Sequence, residues 1–170
     1  MGRPRSKQAL EAEVETWTED VSGRALLEML AAALTRPVRI SREFDIPYLA
    51  GYSRDGRIIY IDRHLPKTLK WRGRRHGIDR FIALHEIVEK SLLDELRLHY
   101  LHAHQIALRT EQAAVRAAGI PWRVYDRFTK ANSKKIEKEK LTRVPAALDL
   151  VPYSDEEDYE TLRQLVAKGA

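Results

Sequence analysis

Cysteine is absent from the 170 residues. That excludes disulfides and thiolate metal sites and leaves His, Asp and Glu as the strong metal ligands. It suits a reducing, cytoplasmic setting. Long apolar runs are missing too. No stretch approaches the roughly 20 residues of a membrane span. The basic N-terminus has no apolar core of a secretion signal, although Met1, Gly2 and Ser6 formally match a short acylation pattern. No repeat and no long low-complexity tract divides the chain. Between Asp79 and Gly119 neither glycine nor proline occurs for about forty residues.

What is present is enough for a sizeable core. Hydrophobic residues make up 44%, and the length suits one domain. The net charge is +5, unevenly spread. Residues 67–80 hold Lys67, Lys70, Arg72, Arg74, Arg75 and Arg80 against Asp79 alone. Residues 130–143 hold a second basic run, from Lys130 through Lys134, Lys135, Lys138 and Lys140 to Arg143. An acidic stretch spans 155–160. Basic runs of this kind meet nucleic acid or an acidic partner, or simply form a solvated surface.

The pattern predicts an α+β fold in three parts. Residues 1–22 read as a flexible basic arm with a short helix at 8–18. Residues 23–128 read as the metal-binding domain, and 129–170 as a charged C-terminal extension. Ser22 is a plausible N-cap for a packing helix over 23–35, ended by Pro37. Residues 38–41, 44–52 and 57–62, rich in β-branched and aromatic side chains, predict a small, mainly antiparallel sheet. Ser53-Arg54-Asp55-Gly56 is its hairpin turn, and Pro47 marks an edge. Residues 65–77 read as a basic loop. Asp79 is expected to cap the central helix, and Gly119 with Pro121 to stop the one after it.

The central helix carries an anomaly. In FIALHEIVEKSLL, residues 81–93, His85 and Glu89 interrupt the apolar face. Four residues apart, they stack one turn above the other. A second predicted helix, 100–118, repeats this: His104 and Glu111 share a face with Leu101, Ala107, Leu108, Ala114, Val115 and Ala118. Burying such groups unpaired is costly, and a cation resolves the cost. The expected ligands are His85, Glu89 and His104, with a fourth position open to water. Glu86 would take the proton of that water. Glu111 would orient a ligand histidine or close the site as a fourth ligand. His85 and His104 would lie roughly 28 Å apart on one straight helix. The chain must therefore fold back near residues 96–99. His99 and His102 lie on another face. Tyr100 and His102 are candidates, by proximity alone, for stabilising an oxyanion.

The segment HEIVE, His85 to Glu89, resembles the zincin motif HExxH with glutamate replacing the second histidine. The order of packing helix, small sheet, HE-bearing helix and later ligand helix is similar to a minimal zincin over residues 23–119. The stretch IPYLAGYSRDGRIIYID resembles phage-associated or bacterial zincin-like proteins. The resemblance implies a metallopeptidase-like hydrolase whose edge strand lies beside an extended peptide. It implies His85, Glu89 and His104 as ligands, Glu86 as general base, and zinc as the ion. A harder oxygen ligand also admits manganese or iron.

Two other readings stay open. In a binding module, the two basic runs grip nucleic acid or an acidic protein, Trp71 stacks on a base, and the metal only staples two helices. In a helical nucleotide hydrolase, Glu86 and Glu89 form a magnesium pair. That needs a second acidic pair on a facing helix, and Asp94, Glu95 and the lone Glu111 do not provide one.

Overall fold

The computed structural model describes Ala31, Thr35 and residues 37–170. The expectations for the basic arm, the acylation pattern and the helices at 8–18 and 23–35 lie outside these residues, except that Ala31 and Thr35 are helical. The described chain is α+β. Five strands come first: β1 Arg39–Ser41, β2 Ala50–Tyr52, β3 Ile58–Ile61, β4 Thr68–Trp71 and β5 Arg74–Gly77. Five helices follow: α1 Asp79–Leu96, α2 Tyr100–Ala117, α3 Trp122–Ile136, α4 Val151–Asp155 and α5 Tyr159–Ala167. Among the described residues, no helix is long and apolar enough to cross a membrane.

The first sheet has the order β1-β3-β2. β1 runs parallel to β3 and β2 antiparallel to it. The β2–β3 connection is the expected hairpin turn. Gly56 sits at φ 66°, its N–H bonds the Ser53 carbonyl, and Ser53 Oγ bonds Asp55. Strand β3 reads as a continuous apolar run because both its faces are covered. Ile59 and Ile61 enter a core with Tyr52, Leu65, Ile78, Phe81, Ile82 and Tyr125. Tyr60 enters a second core with Ile46, Leu148, Tyr153 and Leu165. The C-terminal residues therefore pack on the back of the sheet, and a boundary after residue 128 would cut α3.

Three local expectations need correction. Residues 44–49 are not a strand: Tyr48 and Leu49 take left-handed backbone at φ 60° and 83°, so pairing begins only at Ala50. Residues 65–77 are not a loop but the β4–β5 hairpin, with Lys70 opposite Arg75 and Trp71 opposite Arg74. Arg72 at φ 44° and Gly73 at φ 75° make its tight turn. Asp79 does not cap α1: Ile78 holds that position without a side-chain bond. Asp79 instead accepts from Arg42 Nε and Nη2 at 3.0 and 2.6 Å.

The break between the long helices falls within the expected residues. Arg97 turns left-handed at φ 53° and its N–H bonds the Leu92 carbonyl. Leu98 N–H reaches the same oxygen at 3.4 Å. Arg97 enters this region at a cost of about 1–2 kcal/mol that glycine would avoid, so the turn carries no glycine to mark it in the sequence. His99 is the N-cap of α2, its Nδ1 accepting from Leu101 N–H at 3.3 Å. The two helices then run back along each other. Val88 and Leu92 of α1 pack on Ala103 and Ala107 of α2, alanines small enough to allow close approach. Leu101, expected on the buried face, is 52% exposed, because Tyr100, Ala103 and Ala107 turn inward in its place.

Leu165 is fully buried in the second core. Leu165→Ala should lower unfolding free energy by about 2–5 kcal/mol in chemical denaturation; an unchanged midpoint would mean the C-terminal helix does not support the sheet. Asp45 provides a pH test. Burial raises its pKa, but bonds from Thr142 and Arg143 N–H, Thr142 Oγ1 and Arg63 outweigh this and lower it to about 2. Its stabilisation is complete above the ordinary aspartate value of 3.8 and disappears as pH falls toward 2. Asp45→Asn should flatten the acid limb of stability measured between those values.

Candidate metal centre

Helices α1 and α2 bring His85, Glu89 and His104 together. His85 Nε2 lies 3.2 Å from His104 Nδ1 and 3.3 Å from Glu89 Oε2. His104 Nδ1 lies 2.8 Å from the same carboxylate oxygen. The i,i+4 spacing on α1 sets the first pair, and the reversal at Arg97 delivers the second histidine. All three expected ligands thus converge.

Glu111 sits behind them. Its Oε2 lies 3.1 Å from His85 Nδ1. A carboxylate there fixes the proton on Nδ1 and leaves Nε2 as the lone-pair nitrogen facing the cluster. Of the two roles expected for Glu111, the geometry matches orientation of the histidine. Tyr125 OH donates to Glu111 Oε1 at 2.5 Å, and Tyr52 OH donates to Glu89 Oε1 at 3.0 Å. Tyr100 OH lies 3.3 Å from His104 Nδ1.

Glu86 differs from its neighbours. It is only 8% exposed, yet no hydrogen bond ties its carboxylate to another side chain among the described residues. Burial pushes its pKa up to about 8, with the Glu89 charge adding to the effect. Burial alone would lower the pKa of His85, but bonds to Glu111 and Glu89 outweigh it and raise it to about 10. Glu89 is held below its ordinary value despite burial, by His104 and His85. Three carboxylates and two imidazoles share one compartment, and the surplus of negative charge suits a cation.

The cluster lines a cavity of about 350 Å³. β2 forms one wall, with Tyr48 and Leu49 at its rim. Strain held in left-handed residues at a pocket edge is characteristic of functional sites. Tyr52's carbonyl points away from β3 and accepts from Asp149 N–H at 2.9 Å. Backbone direction alternates along a strand, so the N–H and C=O of Ala50 also point outward along this edge. Asp149 is pinned by Lys90 of α1 at 2.8 Å, and Tyr153 stacks on Tyr48 with centroids 6.0 Å apart.

Of the remaining expectations, Tyr100 lines the cavity and His102 does not. His102 is exposed. Tyr52, Lys90 and Asp149 carried no signal in the sequence. Tyr125 was legible only as aromatic cover, because nothing in its spacing pairs it with Glu111. A second acidic group, Asp45, Asp62 and His64, also clusters, but its oxygens are taken up by backbone N–H groups and Arg63.

No protein-family model, curated protein or solved structure matches the chain.

Tyr125→Phe removes the donor to a buried carboxylate oxygen. It should lower unfolding free energy by about 1–3 kcal/mol in metal-free buffer. Unchanged stability would mean that Glu111 has another partner.

Proposed function

We propose that the protein is a metal-dependent hydrolase of the metallopeptidase kind, with zinc as the ion that fits best. One observation carries this reading. A tetrahedral ion held at roughly 2.0–2.1 Å keeps its ligand atoms about 3.3 Å apart. His85 Nε2, Glu89 Oε2 and His104 Nδ1 are separated by 3.2, 3.3 and 2.8 Å. Two histidines and one glutamate leave one position open, as in catalytic rather than structural zinc sites.

Bound zinc supplies Lewis acidity at that position. The chain's own groups do the rest. Glu86, next to the ligands and free of competing bonds, receives the proton of the attacking water and returns it to the leaving group. Its burial favours the protonated form, so it holds the proton between the two steps. Glu111 and Tyr125 keep His85 oriented, and Tyr52 does the same for Glu89. The outward edge of β2 at Ala50 offers an extended peptide a backbone donor and acceptor. Peptide or protein is therefore the favoured substrate class.

Glu86→Gln should retain one equivalent of zinc by elemental analysis while turnover of a fluorogenic peptide library falls by about 10²–10⁴-fold. Native-like turnover in that variant would exclude Glu86 as the base. His85→Ala and His104→Ala should each lose the zinc. If only one of them does, the helices do not share an ion. Affinity has a pH signature as well. Below about 10 the His85 proton competes with the metal, so apparent zinc affinity should rise about tenfold per pH unit through the neutral range. A flat profile in titration calorimetry would mean that His85 is not a ligand.

A further inference from the structure

The β4–β5 hairpin stands outside the metal centre and plays no part in it. It is a two-stranded ribbon anchored on the Leu69 face, with Lys70 and Arg75 on the outer face and Arg72 and Arg74 at the tip, Arg74 on the Leu69 side by register. Leu69, 6% exposed, fixes the inner face to the first core. Ile78, directly after β5, is fully buried in the same core. The register puts Lys70 and Arg75 opposite each other on the outer face, next to Thr68 and Gly77. Arg72 and Arg74 flank Gly73 at the tip, with Lys67 and Arg80 at the base. All six cations are exposed. None forms an ion pair among the described residues, and no acidic residue occurs between Arg63 and Ile78.

Like charges placed directly across a ladder destabilise it. A paired Lys70 and Arg75 with no ion-paired carboxylate among the described residues is therefore an expensive arrangement for the folded chain alone. A polyanion removes the expense. Shape narrows the choice among polyanions. The duplex major groove admits a two-stranded β-ribbon, and this ribbon ends in a tight two-residue turn, Arg72-Gly73, that keeps its tip narrow. Trp71 is half-buried, with the Arg72 guanidinium 5.7 Å from its ring centre. It braces the turn rather than offering a free face for stacking on a single strand.

We infer that the β4–β5 hairpin is a docking element for double-stranded DNA, held through phosphate contacts from Lys70, Arg72, Arg74 and Arg75. This function is separate from the metal centre and does not depend on the hydrolase reading.

The test is fluorescence anisotropy of the full chain with a mixed-sequence duplex of roughly 20 base pairs, beginning near 50 mM salt, where such contacts are strongest. Affinity should fall steeply with salt. Converting Lys70, Arg72, Arg74 and Arg75 to alanine should weaken binding more than 100-fold and reduce the log–log salt slope by about three to four. A control variant, Lys134→Ala with Lys138→Ala, should bind like the native chain. Thermal melting that does not fall in either variant would separate lost contacts from lost fold, and relief of the Lys70–Arg75 repulsion should raise it slightly in the hairpin variant. Glu86→Gln should leave DNA affinity unchanged. The inference is overturned if the duplex does not bind at low salt. It is overturned equally if the hairpin variant binds as tightly as native, or if single-stranded DNA or an acidic peptide binds in preference to the duplex.

Discussion

The structure depends on the burial of three carboxylates and one imidazole between α1 and α2, with a second imidazole, His104, half-buried beside them. Glu86, Glu89, Glu111 and His85 are all less than one-tenth exposed. Charges removed from water at this density are tolerated only when they are paired and hydrogen-bonded. The protein's own groups do part of that. Tyr52 and Tyr125 each donate to one carboxylate, and His85 bridges Glu89 and Glu111. Glu86 is left without such a partner among the described residues. A scaffold that only needed stability would fill this space with apolar side chains, as it does one turn away with Val88, Leu92, Ala103 and Ala107. A charged cluster retained there is what the proposed metal-dependent function requires.

The remaining architecture can be read as support for that cluster. The sheet delivers Tyr52 to Glu89, and α3 delivers Tyr125 to Glu111. The left-handed turn at Arg97 lets two 18-residue helices reverse within three residues, so that His104 meets the turn of α1 carrying His85 and Glu89. Alanine at 103 and 107, packed on Val88 and Leu92, lets the imidazole nitrogens of His85 and His104 approach to 3.2 Å. Larger residues at those positions would separate the helices before they disturbed any ligand directly.

Much of the site was legible in the sequence because it violates a pattern. An apolar stripe broken twice by His and Glu at helical spacing signals a buried polar function, and the requirement that His85 and His104 meet located the chain reversal without a turn residue. The rest was hidden for physical reasons. Arg97 and Arg72 occupy left-handed positions that sequence reasoning assigns to glycine or asparagine. The β4–β5 hairpin was obscured because β5 is Arg-Arg-His-Gly with no apolar alternation, and β4 shows it only through Leu69 and Trp71. The tyrosines that hold the carboxylates lie 37 and 14 residues from their partners, and no local periodicity reports contacts at that range. Tyr48 and Leu49 defeated the strand expectation because pocket geometry, not β-propensity, sets their backbone.

The C-terminal residues change how the cavity is approached. Residues 147–149 already pair with the Tyr52 end of the β2 edge: Ser53 bridges Leu148, and Arg54 N–H bonds the Ala147 carbonyl at 2.8 Å. Gly51 is part of this fit. A Cβ there would meet Leu148 Cδ1 at 3.1 Å, so a side chain would push that segment off the strand. The Lys90–Asp149 pair and the Tyr48–Tyr153 stack hold the segment from two sides, and Tyr48 also bonds Asp158. An extended chain entering the cavity can therefore use only the Ala50 end of the edge unless the segment yields. The same lysine that secures the segment lies on α1 one residue after Glu89, so displacement of residues 147–149 would be felt first at the turn that carries the proposed ligands. The Lys90–Asp149 ion pair and the bond from Asp149 N–H to the Tyr52 carbonyl both tie this segment to the cluster.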